Sequence, residues 1–305
     1  MTLAEVRVAT TVSPVTNIVA TVGGDRVVVE GIIPEGTNSH TFEPKPSVAK
    51  TLARADIVFM NGLKLEEPTR KLAEQNVATG VKVVELGART ITPEQYIFDF
   101  SFPKEEGKPN PHLWTDPPLA KRYAEVVAQE LSAIDPANAG YFAGNAKAFG
   151  VQVDTLDTAM RTAFATVPPT HRKLLTYHDA YAYFARDYDW TVIGAIQVSD
   201  FEDPTAREVA ALIEQVKSEG VPAIFGSEVF PSRVLEQIGK EAGVTYVDAL
   251  RDDDLPGKPG EAEHSLVGML RFNYATITKA LGGDPSALET LTITAVAPDK
   301  ASYPQ

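Results

Sequence analysis

The chain has 305 residues, with 28 Lys and Arg against 41 Asp and Glu, so its formal net charge is −13 at pH 7. That length is enough for about two domains with substantial cores. Because nucleic-acid binding depends on basic surfaces, the acidic balance argues against a nucleic-acid partner. The sequence has no cysteine and five histidines, so a metal site would have to be built mainly from His, Asp and Glu.

Short runs of β-branched and apolar residues predict four strands in each half of the chain. The predicted strands are Val6–Thr10, Arg26–Ile33, Asp56–Met60, Val81–Leu86, Lys173–Tyr177, Thr191–Ile196, Val221–Phe225 and Val244–Val247. The intervening segments have helical spacing; Thr205–Glu219, for example, places Val209, Leu212, Ile213 and Val216 on one face. Strand–helix alternation predicts parallel sheets covered by helices, and two such series predict two Rossmann-like α/β domains.

A long helix is predicted between the two series, over Asp135–Thr166. Asp135 is a suitable N-cap and Pro136 occupies the first helical position. About 30 residues at 1.5 Å per residue span roughly 45 Å, which indicates a rigid connector. Apolar residues recur at helical spacing at Phe142, Phe149, Val153, Leu156 and Met160. We therefore expect a first domain over residues 1–134, a connecting helix over 135–167, and a second domain with a tail over 168–305.

Three of the five histidines lie at predicted ends of regular elements. His40 is in the loop after the second strand, His112 is in a loop before a helix, and His178 directly follows the strand Lys173–Tyr177. Open α/β sheets bind ligands beyond the carboxyl ends of their strands, so these positions favour a ligand site. His171 and His264 are interpreted as structural residues.

A carboxylate donor is expected from the segment that follows the last predicted strand. Asp248 stands at the predicted exit of Val244–Val247, and the nearby run Asp252, Asp253 and Asp254 is the competing source. Three imidazoles and one carboxylate make a complete tetrahedral set for an ion such as zinc. The sequence has no HExxH pair, P-loop, dinucleotide fingerprint or GxSxG elbow, so catalysis has no positive indication.

Several motifs resemble those of a known family, the substrate-binding proteins of bacterial zinc and manganese ABC importers, also called the metal-binding adhesin-lipoprotein family. The segments Gly36–Pro44, Pro111–Pro117, Tyr177–Phe184 and Tyr246–Leu250 resemble its four ligand motifs, in the family's order. Asp135–Ala139 resembles the entry to its interdomain helix, and the resemblance extends from about Val6 to Leu281. Two departures are Asn38-Ser39, where the family commonly has Asp-Pro, and the absence of a His-rich stretch in Phe102–Pro109.

The resemblance implies a metal site in the cleft between the domains, with His40, His112, His178 and Asp248 as ligands. Asp252, Asp253 or Asp254 is the alternative fourth ligand. It further implies a protein that is not an enzyme, captures Zn²⁺, or alternatively Mn²⁺, and delivers the ion to an ABC permease as a monomer. Its expected location is the periplasmic or extracellular face of the cytoplasmic membrane, with the leader absent from this sequence.

Two other functional classes have less support in the sequence. A metallohydrolase would need an open metal position and a general base, for which Glu228 is the only nominee. A surface adhesin would need an adhesive motif, and none is apparent. The role of the residues after Leu281 is left open.

Overall fold

The computed structural model describes residues 5–177, 179–196, 204–227 and 232–304. A four-stranded parallel sheet in the order β2-β1-β3-β4 forms the centre of the first half. Val8 in the middle of β1 pairs with Val29 on one side and Ile57 on the other, and all three side chains are buried. The strands are β1 (Val6–Thr10), β2 (Val27–Gly31), β3 (Ile57–Met60) and β4 (Lys82–Glu85).

Helices follow the strands of this sheet, as its parallel direction requires. Helix α5 begins at an N-cap, Asp116, whose carboxylate accepts a hydrogen bond of 3.1 Å from Leu119 N, with prolines at the first two helical positions. The helices of this half are α1 (Ser13–Gly23), α2 (Val48–Arg54), α3 (Glu67–Asn76), α4 (Leu86–Thr90) and α5 (Pro117–Ile134).

The predicted long helix is present as α6 (Ala139–Ala165), preceded by one 3₁₀ turn at Pro136–Asn138. The five apolar residues predicted to share its inner face are all buried. The helix packs against α1 and α5 of the first half and against α10 and α11 of the second. These contacts suit a rigid connector, while the division into domains at residues 134 and 168 stays a prediction.

In the described part of the second half, the strands form two parallel pairs, β5 with β6 and β7 with β8. The predicted α/β class with parallel sheets is confirmed. The strands are β5 (Lys173–Thr176), β6 (Thr191–Ala195), β7 (Ala223–Ser227) and β8 (Thr245–Leu250). The helices are α7 (Ala182–Asp187), α8 (Ala206–Glu219), α9 (Arg233–Ala242), α10 (Leu266–Ala280) and α11 (Ser286–Glu289).

The predicted end of the last strand was wrong. Strand β8 continues to Leu250, three residues past the predicted end at Val247, because Leu250 is buried and pairs with Ser227 of β7. Asp248 therefore lies within the strand, and its side chain is exposed.

Besides a smaller cluster within the second half, one large buried apolar cluster extends through both halves of the described chain. Its largest members include Trp114 and Tyr123 from the first half and Tyr183 and Tyr274 from the second. Among the described residues, no helix combines the length and the apolar character needed to cross a membrane.

Candidate metal centre

The loop of His40 begins where β2 ends, at Gly31. Gly36 turns the chain with a φ of 70°, a left-handed conformation that favours glycine. The backbone N–H of His40 donates a hydrogen bond of 2.9 Å to Asn38 Oδ1, which makes a local turn of the kind that asparagine favours. Asn38, where the family commonly has Asp, therefore supplies an acceptor that shapes the backbone at His40. The His40 side chain is half-buried.

His112, in the loop before α5, is completely buried. Its Nδ1 lies 2.9 Å from Asn110 Oδ1, and its backbone N–H donates to the same oxygen at 3.0 Å. Because an amide oxygen only accepts, Nδ1 of His112 bears the proton and Nε2 presents its lone pair. Asn61, directly after β3, donates a hydrogen bond of 2.9 Å from Nδ2 to Pro111 O and so fixes the backbone next to His112.

The imidazoles of His40 and His112 face each other through their Nε2 atoms, which are 3.0 Å apart. Two imidazole ligands of a tetrahedral zinc ion, each at about 2.0–2.1 Å from the metal, have nitrogens about 3.3 Å apart. The pair is thus close to the spacing that one shared cation requires. The structure brings together these two predicted ligands, which are separated by 72 residues.

Aromatic rings enclose this pair. Phe102 lies 5.7 Å from His40 and 5.6 Å from His112, between ring centroids. Trp114 lies 5.0 Å from His112. Both aromatic side chains are buried and shield the imidazole of His112 from water, which would strengthen its interaction with a cation.

The acidic segment after β8 contacts the loop of His40. Asp253 is buried, and its carboxylate accepts hydrogen bonds from Ser39 N at 3.1 Å and from Ser39 Oγ at 2.9 Å. Ser39 directly precedes His40, so the Asp253 carboxylate is tied to the residue next to a predicted ligand. The neighbouring Asp252 accepts a hydrogen bond of 3.1 Å from Ser227 Oγ, and its carbonyl accepts one of 2.9 Å from Trp114 Nε1.

The other two carboxylates of this region are directed elsewhere. Asp254 is half-buried and pairs with Arg251 at 3.1 Å. Burial and the nearby charge of Glu35 raise the pKa of Asp254. Asp248 is exposed on β8. The geometry therefore favours Asp252 and Asp253 over Asp248 as sources of a carboxylate ligand.

His178 and Glu228 lie outside the described residues. Within the part of the chain that the structure describes, no group of three or more His, Cys, Asp or Glu side chains is placed to hold a metal ion. The neighbour of His178 is informative, however, because Asn110 Nδ2 donates a hydrogen bond of 2.7 Å to Asp179 O. The amide that orients His112 thus also holds the residue next to His178.

The two remaining histidines have structural partners. His171 Nδ1 lies 3.0 Å from Leu281 O. His264 is buried, with Nδ1 at 3.2 Å from Pro256 O and Nε2 at 3.1 Å from Glu35 Oε1. Burial by itself would lower the pKa of His264, but the hydrogen bond and charge of Glu35 outweigh it and raise that pKa.

Asn110 and Asp99 were not predicted as site residues. Asp99 Oδ2 accepts a hydrogen bond of 2.9 Å from Asn110 Nδ2, and burial raises the pKa of this carboxyl. The pair forms an outer layer that orients an imidazole. The Pro109-Asn110-Pro111 sequence is the one local indication, since an asparagine two residues before a buried histidine can accept from its backbone.

The parallel α/β fold and the facing imidazoles are features that suit a protein that binds a divalent cation. Comparison with known proteins gives the family. The chain belongs to the family described as zinc-uptake complex component A, periplasmic, whose sequence model matches residues 8–280. Members of this family are substrate-binding proteins of metal ABC importers, so the predicted functional class is confirmed.

Individual relatives are similar over nearly their whole length. The chain is 25% identical to the metal ABC transporter substrate-binding lipoprotein SloC of Streptococcus mutans, covering 90% of this chain and 89% of SloC. It is 28% identical to the iron-binding protein YfeA of Yersinia pestis, covering 90% and 86%. It is 26% identical to the manganese-binding lipoprotein MntA of Halalkalibacterium halodurans, covering 90% and 88%.

A solved structure supports the same fold. The periplasmic zinc-binding protein TroA of Treponema pallidum superposes with a TM-score of 0.82 at 27% identity, covering 91% of this chain and 99% of TroA. The names of these proteins refer to different metals, zinc, manganese and iron, so similarity supports a divalent metal without selecting one.

Proposed function

We propose that this protein captures a divalent transition metal, with zinc preferred, through His40, His112, His178 and a carboxylate of the segment after β8. The observation that supports the proposal most directly is the 3.0 Å approach of the two Nε2 atoms of His40 and His112. Asn110 accepts from Nδ1 of His112, which leaves Nε2 unprotonated, as metal ligation requires.

His178 is the third proposed ligand. It directly follows Tyr177, just beyond β5, and precedes Asp179, whose carbonyl is bound by Asn110.

Asp253 is the preferred fourth ligand, in place of Asp248. It is buried and is held by Ser39, next to His40, whereas Asp248 is exposed on β8. Asp252 is the alternative. Four protein donors would close the coordination sphere of the ion, which suits a carrier, because a catalytic zinc keeps one position for water. We therefore infer binding rather than catalysis.

Zinc is preferred over manganese because imidazole nitrogen suits zinc, whereas manganese favours oxygen ligands. We place the protein outside the cytoplasmic membrane, as the names of its lipoprotein and periplasmic relatives suggest, and infer delivery of the ion to an ABC permease. Mn²⁺ is the competing ion in the test below.

The test is metal analysis of the purified protein after loading with Zn²⁺ or Mn²⁺ and removal of excess ion. We expect one bound ion per chain, tighter zinc than manganese binding in a competition titration, and loss of the ion in His112→Ala and His178→Ala. His171→Ala is the matched control and should retain the ion, because His171 bonds to Leu281 O, away from the site. Full metal content in His112→Ala would contradict the proposed site, and tighter manganese binding would overturn the choice of zinc.

The fourth ligand is tested in the same assay with Asp248→Ala, Asp252→Ala and Asp253→Ala. We expect the largest loss of affinity in Asp253→Ala and little change in Asp248→Ala. A loss confined to Asp248→Ala would restore the ligand suggested by the family motif.

A further inference from the structure

The segment after α11 runs from one half of the protein to the other; we call residues 291–304 the strap. It starts beside α10, where Arg271 Nη1 donates a hydrogen bond of 3.0 Å to Leu291 O. It then passes α1, where Asn17 Nδ2 donates a hydrogen bond of 2.9 Å to Asp299 Oδ2. Just after α1, Asp25 forms an ion pair of 2.6 Å with Lys300 Nζ. The strap lies beyond residue 280, where the family match ends.

The strap ends in backbone pairing with β2. Ser302 N donates a hydrogen bond of 3.0 Å to Val29 O, and Gly31 N donates one of 2.8 Å to Ser302 O. The bridge is parallel, so the strap extends the outer edge of the first sheet. A Cβ at Gly31 would lie 2.2 Å from a ring carbon of Tyr303, so glycine allows the ring to pack directly on the backbone there.

This pairing occurs at the base of the loop of His40, because Gly31 is the last residue of β2. The same loop is held further along by His264, which contacts Glu35, and by Asp253, which accepts from Ser39. Three positions of the loop, Gly31, Glu35 and Ser39, are thus bound by residues of the second half of the chain. Of these three contacts, the one at Gly31 is made by the strap.

We propose that the strap holds the loop of His40 in place and thereby slows the release of the bound metal ion. This inference rests on the proposed function. If the ion leaves by movement of the His40 loop or by tilting of the two halves, the strap opposes both motions, because Ser302 anchors the start of that loop and Leu291 is bound to α10 of the second half. A chain whose strap is detached would reach the open arrangement more often and lose its ion faster.

The test compares Ser302→Pro with Ser302→Ala in the full chain. Proline removes the N–H that donates to Val29 O, whereas alanine keeps that N–H and removes only the exposed hydroxyl. Zinc-loaded protein is mixed rapidly with excess chelator, and the rate of metal transfer is recorded. A parallel series uses Mn²⁺, and a variant lacking residues 291–305 removes the whole strap.

We expect zinc release to be faster in Ser302→Pro by a factor on the order of tenfold, as the loss of about one backbone hydrogen bond allows. The strap deletion should be at least as fast, and Ser302→Ala should match the wild type. A wild-type release rate in Ser302→Pro overturns the inference, even if the deletion variant does not fold. Failure of the proposed function has a different result, because the wild-type chain itself would then hold no ion.

Discussion

Asn110 donates a hydrogen bond of 2.7 Å from Nδ2 to the carbonyl oxygen of Asp179, 69 residues further along the chain. The oxygen of the same amide accepts from Nδ1 and from the backbone N–H of His112. One buried side chain therefore fixes the tautomer and orientation of a proposed ligand in the first half. It also holds the carbonyl of Asp179, the residue after His178 in the sequence, and so connects the two halves.

Replacement of Asn110 by alanine should weaken metal binding without removing a donor atom. His112 would lose its orienting acceptor, and such outer-layer changes cost about 10- to 100-fold in metal affinity. A competition titration against a chelator of known affinity measures this. Asn76→Ala, which removes an amide bonded to Leu72 O on α3, is the control and should bind normally. Equal affinities in the two variants would show that Asn110 does not orient the ligand.

Ser39→Ala should also weaken metal binding. The variant keeps the backbone N–H that donates to Asp253 and removes only the hydroxyl, which lies 2.9 Å and 3.0 Å from the two carboxylate oxygens. Loss of one hydrogen bond to a charged group corresponds to roughly tenfold in affinity or more. Calorimetric titration with Zn²⁺ checks this, with the exposed Ser47→Ala as control. No difference between them would argue against a metal-binding role for Asp253.

A third prediction concerns the buried carboxyl of Glu66. It accepts hydrogen bonds from Thr11 Oγ at 2.6 Å, from Asn61 N at 2.8 Å and from Gly62 N at 3.0 Å. Burial nevertheless raises the pKa of Glu66 from its ordinary 4.5 to about 7. Between these two values the folded chain binds a proton that the unfolded chain releases. The free energy of unfolding should therefore fall as pH rises through that window.

The measurement is urea denaturation of metal-free protein at several pH values. The wild type should lose stability relative to Glu66→Gln between about pH 4.5 and 7, and the difference should level off above that range. Glu214→Gln, at an exposed position on α8, is the control and should follow the wild-type profile. Parallel pH profiles for the wild type and Glu66→Gln would show that Glu66 does not titrate in this window.

Local patterns predict the regular elements of this fold well and its long-range contacts poorly. All eight predicted strands have counterparts among the described residues, because β-branched runs between turns are a local property. The end of β8 was misplaced because Asp248 faces solvent within the strand, so its charge did not mark the strand exit. The orienting role of Asn110 depends on side chains brought close by folding, which periodicity does not encode.

The strap illustrates the same limit. Residues 299–304 show no strand pattern, and Ser302 pairs with β2 only because the chain returns across α6 and α1. By contrast, the meeting of His40 and His112 was predictable from their positions beyond strand ends and from the family motifs. Their relative orientation, with both Nε2 atoms inward, required the structure.

The last prediction concerns the contact between His264 and Glu35, which connects the loop of His40 to the segment before α10. The pKa of His264 is raised above its ordinary 6.5 because the hydrogen bond and charge of Glu35 outweigh the effect of burial. A raised histidine pKa means that the stabilisation is complete below about pH 6.5 and is lost as pH rises through the folded-state value. His264→Gln should therefore lower the thermal midpoint of metal-free protein most at acidic pH and least at alkaline pH.

His171→Gln is the control, since its imidazole faces a carbonyl rather than a carboxylate, and its effect should not follow this profile. A deficit in His264→Gln that is constant with pH would show that the contact stabilises the loop through packing and not through the charge of the imidazolium.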